Sequence, residues 1–322
     1  MVKDPYAPYR QQALPRPLLK ELSHVRPWRV VGDTALAWIA IVAAWTGAAL
    51  YPAWWTVALA IPVIGTRYYA LAILGHDGLH RRLFARVPDN DWFCDLFLIG
   101  PIGAITRLHN VNHLSHHQHL AQTSDPDRHK YICNDKGTFA HLLGYLMGIR
   151  GLSRSVRNVV TGSAAADAGR LRPRPTMRDV AIIAGWQGAL VVGLTSVIGW
   201  WAYPVLWVLP VGVFTVLADH WRTFCEHSQP EADALADDHR LITYVSSPIE
   251  RLVMAPHNMN LHAAHHLWPS IPYYNLPRAD AALRASRFAP ELEWRGSYAA
   301  YIWRYFRRLP IEGCDGAQLR SH

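Results

Sequence analysis

Eighteen histidines are spread unevenly through this 322-residue chain. Eight of them fall into three clusters. "HDGLH" holds His76 and His80, "HLSHH" holds His113, His116 and His117, and "LHAAHH" holds His262, His265 and His266. On a helix, residues three and four apart share a face, so each cluster can aim two or three imidazoles at one point. Neutral imidazole suits zinc, copper, iron and nickel. One such cluster is often incidental; three in one chain are not. A structural zinc takes four ligands and a catalytic zinc three plus water, so eight imidazoles exceed one ion and suit two. Two redox-active irons at a membrane surface, with neutral ligands, point to oxygen activation.

Several side chains near the clusters invite a supporting role. A metal-bound imidazole commonly passes its second N–H to a carboxylate. Asp77, inside the first cluster, is expected to take that part. Asp125 and Asp127 in "TSDPD" fit the same part for the second cluster, although Asp-Pro-Asp is equally good turn chemistry. Glu226 either orients a neighbouring ligand or is a plain charge at a helix end. His109 and His257 precede the second and third clusters; His109 shares a helical face with His113 and is a candidate further ligand, whereas His257 is either a ligand or, beside Asn258 and Asn260, part of a polar hydrogen-bonding loop. His119 and His220 carry a weaker form of the same question.

The elements that must position these residues are apolar. Only 17% of the chain is charged, against about a quarter in soluble domains. Residues 34–50, 54–75, 180–203 and 204–220 are four apolar runs, the second interrupted by Arg67 and the last reaching Asp219 and His220 at its end. A bilayer-spanning helix needs roughly 20 apolar residues. The runs form two pairs with very short links, "YPAWW" (51–55) and "WWAYP" (200–204), rich in the Trp, Tyr and Pro of interfacial turns. Two helical hairpins follow. Arg67 either snorkels to the interface or faces the protein interior.

All but one of the 32 basic residues lie outside the runs, and none lies in either link. The positive-inside bias therefore places both termini and the 76–179 connection in the cytoplasm. The net charge of +8 reads as topology and contact with anionic lipid. No nucleic-acid motif accompanies it. Four widely spaced cysteines, with no C-x-x-C, argue against a zinc ribbon or iron–sulfur cluster. The stretch 92–105 is apolar but too short to span, and reads as an interfacial or re-entrant segment that could carry the second cluster toward the metal, with a core helix of the cap as the alternative. Residues 139–160 could lie flat on the membrane, and the stretch that follows reads as a linker.

The order H-x-x-x-H, H-x-x-H-H, H-x-x-H-H between two hairpins resembles the membrane fatty acid desaturase superfamily, which includes related hydroxylases and ketolases. The most specific stretch is "HAAHHLWPSIPYYNLPRAD" (262–280), and "RTFCEH" (222–227) resembles the segment after the last span. The resemblance implies one all-α membrane domain over 1–322: a four-helix stem and a cytosolic helical cap, from 76–179 and 221–322, holding a di-iron site. It implies His227 as a ninth ligand beside the eight box histidines. It further implies two iron ions, O2, an acyl-lipid or acyl-thioester substrate, and an external ferredoxin or cytochrome b5-like donor with its reductase. The expected setting is a multi-pass protein of a bacterial inner membrane. Here "RLHNVNHLSHH" and His257 depart from the pattern many members show near the second and third boxes, which bears on substrate and outcome. Hydroxylation or ketone formation on another apolar substrate is the alternative within this chemistry. A membrane zinc carrier is the alternative outside it; such a carrier wants ionisable ligands within the spans, which offer only Arg67.

Overall fold

The computed structural model describes residues 6–120, 122–131, 138–148, 173–228 and 241–308. Four helices are long and apolar enough to cross a membrane: Pro27–Leu50, Trp54–Leu79, Met177–Val197 and Pro204–His227. They form the two expected hairpins, but their ends differ from the apolar runs. The first helix starts before Thr34, because Arg29 and Asp33 sit in its opening turns. The second continues through the first histidine box to Leu79. The third stops at Val197, and Gly199 turns the chain at φ 138, a left-handed conformation that favours glycine. The fourth runs on to His227.

The second span is the axis of the stem. Over half of its most apolar window is buried, 56%, against 22% for the first span. Two glycines let the segment after it approach closely. A Cβ on Gly75 would lie 2.3 Å from Ile99 Cγ2, and one on Gly78 would lie 2.4 Å from Cys94 Sγ.

That segment joins the second span to the second box. A short helix, Val87–Phe93, passes into a π-helical turn, Cys94–Leu98, and a 3₁₀ turn, Gly100–Ile102. Pro101 carries no N–H, so the helix ends here and its last carbonyls need other donors. Three spans supply them. Trp186 Nε1 donates to Leu96 O (2.8 Å), Trp38 Nε1 to Phe97 O (2.9 Å) and the Tyr68 hydroxyl to Leu98 O (2.6 Å). Gln187 Nε2 donates to Pro101 O at 2.7 Å. Buried carbonyls at an interrupted helix end are tolerated when protein donors satisfy them in this way.

The cap lies at one end of the stem. The N-terminal helices Ala7–Gln12 and Arg16–Leu22 share a core with the region after the third box, where Tyr9, Leu14 and Leu22 meet Leu267, Ile271 and Leu276. A two-stranded parallel ladder joins β1 (Ile242–Tyr244) to β2 (Glu293–Arg295). The "YYN" turn ties cap to stem. The Tyr273 hydroxyl donates to Asp33 on the first span, and Asn275 Nδ2 donates to Leu22 O at 2.6 Å. Of 139–160, the helix Phe139–Leu146 is described; the rest from 149, and most of the expected linker, lie outside the described residues.

Candidate metal centre

Each box sits on a helix. His76 lies in the last turn of the second span and His80 caps it. The second box occupies the helix Thr106–His119. Asp95 starts that helix, its Oδ1 accepting both the N–H and the hydroxyl of Thr106 at 2.7 Å. Arg107 in its first turn pairs with buried Asp179 at the start of the third span. The third box is a six-residue helix, His262–Leu267, buried throughout. His227 ends the fourth span.

These helices bring all nine histidines together in two groups. His76, His80, His113, His117 and His265 form one, with a potential ligand atom of each within 4.8 Å of the others. His116, His227 and His266 form the second by the same measure. His262 adjoins the second, its Nε2 2.9 Å from His227 Nε2. The partition follows helical geometry. Residues i and i+4 are about 40° apart around a helix, and i+3 and i+4 about 100° apart. So His113 and His117 face one group while His116 faces the other, and His262 and His266 part company with His265.

The chemistry of the donors fits metal ions. His76 Nδ1 and both ring nitrogens of His117 and His265 are buried without a hydrogen-bond partner. A buried polar atom left unpaired costs about 1–3 kcal/mol, so a cluster of them asks for an explanation. Burial holds His80 down to about 3, aided by Arg82 nearby. Burial and the neighbouring rings lower His113, His117, His262, His265 and His266 well below the ordinary imidazole value. These six rings are therefore neutral at pH 7, the form that ligates a metal. Nine imidazole nitrogen donors in two groups fit two borderline cations such as iron.

Carboxylates back part of this array. Asp125 is buried, and both its oxygens lie 3.0 Å from His116 Nδ1. It also accepts the Tyr131 hydroxyl and the Asp127 N–H. Glu226 Oε2 accepts from Arg222 at 2.6 Å and stands 3.3 Å from His262 Nδ1, off the direction of a formed hydrogen bond. Its Oε1 accepts the Tyr298 hydroxyl at 2.8 Å. Arg222 in turn donates to Tyr69 and Asp219, both at 2.9 Å. Asp77 is used differently: it accepts the Tyr273 N–H at 2.8 Å, tying the third-box region to the second span. His109 and His257 stand outside both groups. His109 Nδ1 meets Ile105 O at 2.9 Å, and His257, at φ 55, packs against the Tyr273 ring. His119 and His220 bond to carbonyls one turn back.

Tyr131, Tyr298 and Arg222 are the members that sequence reasoning missed. Arg222 and Glu226 are spaced i, i+4 in the quoted "RTFCEH" and could have been paired. Tyr298 comes from a distant segment and carries no local signal, while Tyr131, six residues from Asp125, follows no regular spacing that would mark it.

A cavity of about 690 Å³ reaches both groups, touching His76 and His113 of one and His116, His227 and His266 of the other. Apolar side chains line it on the stem side, among them Ala72, Ile73, Ile99 and Ile102. Lys130, paired with Asp127 at 3.0 Å, and His109 stand at its polar part. The arrangement can hold an extended apolar molecule against two metal positions.

Comparison with known proteins agrees with this geometry. The chain matches the Fatty acid desaturase family model over residues 52–301. It is 26% identical to the dihydrorhizobitoxine desaturase of Bradyrhizobium elkanii, over 84% of this chain and 80% of that protein. It is 26% identical to the beta-carotene ketolase of a Paracoccus species, over 74% and 88%. It is 24% identical to the sn-1 acyl-lipid omega-3 desaturase (ferredoxin) of a Synechocystis species, over 82% and 76%. With four apolar helices, nine clustered histidines and a family match across most of its length, this chain belongs to the fatty acid desaturase family.

Proposed function

We propose that this protein is an O2-dependent di-iron desaturase that introduces a double bond into an acyl chain. The observation that carries the reading is the cavity. It presents apolar walls from the second span and the segment after it directly beside both histidine groups. Two iron ions at these positions would supply the oxidising power, from O2 and two external electrons, that breaks an unactivated C–H bond. The chain's own residues do the rest. The nine imidazoles would hold the ions. Ile73, Ile99 and Ile102 exclude water and fix the acyl chain in line with the site. Asp125 holds His116 in the tautomer that leaves Nε2 for metal. In balance, two substrate hydrogens, O2, two electrons and two protons yield the alkene and two waters.

The electrons come from a separate ferredoxin or cytochrome b5-like donor with its reductase; one relative's name includes ferredoxin. The substrate is an acyl lipid or acyl thioester, and membrane lipids surround the stem. The boxes and both termini face the cytoplasm of a bacterial inner membrane, on the distribution of basic residues. Hydroxylation or ketone formation on another apolar substrate is the second reading, favoured by the ketolase among the relatives.

The test is a product profile in a host supplying a ferredoxin and reductase, against a His265→Ala control. A lipid lighter by two hydrogens and absent from the control supports desaturation. A species heavier by one oxygen, with or without loss of two hydrogens, supports the second reading. An unchanged profile from folded, iron-loaded and reduced protein removes host acyl lipids as the substrate.

A further inference from the structure

The two histidine groups differ in what stands behind them. The group of His116, His227, His262 and His266 has both nearby carboxylates. Asp125 lies 3.0 Å from His116 Nδ1 and Glu226 3.3 Å from His262 Nδ1. Each carboxylate is itself held by a phenol, Tyr131 on Asp125 and Tyr298 on Glu226. All four of these residues are buried. In the five-histidine group, among the described residues, no carboxylate lies within ion-pair distance of any ring. Five of its ring nitrogens are buried without a hydrogen-bond partner, against one, His262 Nδ1, in the four-histidine group. The nearest acid in sequence, Asp77, spends an oxygen on the Tyr273 N–H.

We propose that the two metal positions are unequal in kind: the four-histidine position is carboxylate-backed, while among the described residues the five-histidine position has no carboxylate at its rings. Tyr131 and Tyr298 are positioning residues for the first of these and have no part in the second. A carboxylate behind an imidazole raises ligand basicity and fixes the ring, and loss of such a partner costs about 10–100-fold in metal affinity. Each phenol donates to its carboxylate, which locks the carboxylate's rotamer against the ring. The five-histidine position gains from ligand number instead. Removing a carboxylate or its phenol therefore weakens one ion of the pair and spares the other. The inference rests on the two-iron reading above.

The experiment uses the full chain in detergent, loaded with isotopically enriched iron, with iron content and Mössbauer spectra as readouts. The unsubstituted chain is expected to bind two irons giving two distinct quadrupole doublets. Asp125→Asn and Glu226→Gln keep side-chain size, and are expected to release one iron about 10–100-fold more readily to a chelator. One doublet should fade while the other persists. Tyr131→Phe and Tyr298→Phe, which preserve packing, should shift the same doublet. His265→Ala should affect the other. Loss of both irons in parallel, no change in either, or a shift in the wrong doublet would overturn the inference. Fewer than two irons in the unsubstituted chain would overturn the two-iron reading itself, and this inference with it.

Discussion

Replacing Gly75 with Ala places one methyl group where the second span meets the segment Cys94–Ile102. The new Cβ would stand 2.3 Å from Ile99 Cγ2 and 3.5 Å from Leu98 Cβ. Carbon atoms in ordinary contact are about 3.5–4.0 Å apart, so the Ile99 methyl must retreat by more than about 1 Å. Ile99 has little room to do so, because the carbonyls of the three preceding residues are held by Trp186, Trp38 and Tyr68. Overpacking of this kind costs about 1–3 kcal/mol. Ile99→Ala alone leaves a void and costs about 2–5 kcal/mol. In the double variant the methyl introduced by Gly75→Ala enters the space left by the isoleucine, so the two costs should not add. The coupling should be at least about 1 kcal/mol in the direction of rescue. Thermal unfolding in detergent reads the stabilities, and bound iron reads the site, since Gly75 directly precedes His76. Simple additivity of the two substitutions, or an unperturbed Gly75→Ala protein, would refute the claim that this contact sets the distance between span and segment.

Three further outcomes follow from the same geometry. Tyr68→Phe leaves the Leu98 carbonyl without its side-chain donor; the loss should be about 0.6–1.7 kcal/mol, the range for membrane hydrogen bonds, visible as a lower Tm with shape preserved. The metal-free protein should lose stability as pH falls. Its buried rings have pKa values below the unfolded value near 6.5, with His80 at about 3. The unfolded chain therefore binds more protons between those limits, and each ring contributes a slope of up to about 1.4 kcal/mol per pH unit, present above pH 6.5 and lost on acidification. A Tm of the metal-free protein that stays flat from pH 7.5 to 5 would contradict the buried, neutral cluster. Arg107→Ala leaves Asp179 with the Thr176 N–H at 2.8 Å and only the longer Arg178 ion pair of 3.7 Å; the second-box helix should loosen from the third span, read as faster hydrogen exchange over residues 106–112.

Much of this molecule is legible in its sequence because membranes impose simple rules. Charge-free runs locate the spans, and the boxes stand out by spacing alone. The helix ends were less legible. Hydropathy marks where lipid stops, whereas the second span continues as a helix through His76 because nothing after Gly75 breaks it. The grouping of histidines was within reach of helical periodicity: i and i+4 stay together and i+3 departs. Applied to the boxes, that rule separates His116 from His113 and His117, and His265 from His262 and His266. What periodicity could not supply is the long-range support. Tyr298 reaches Glu226 across 72 residues, and Asp77 turns from the rings to a backbone N–H 196 residues away. Those partners are fixed by tertiary packing, which leaves no trace in a local pattern.

The split of the boxes across both groups has a mechanical corollary. The second and third boxes each feed the two metal positions from a single rigid turn, so each of these helices acts as a spacer bar. Sliding such a helix along its axis carries a ligand of each ion by the same amount and leaves the gap between ions unchanged. Rotation about the axis, unwinding, or a shift of the second span, which carries only His76 and His80, against the end of the fourth, which carries only His227, changes that gap. The spacing of the two groups is thus set in part by the α-helical repeat of the second and third boxes.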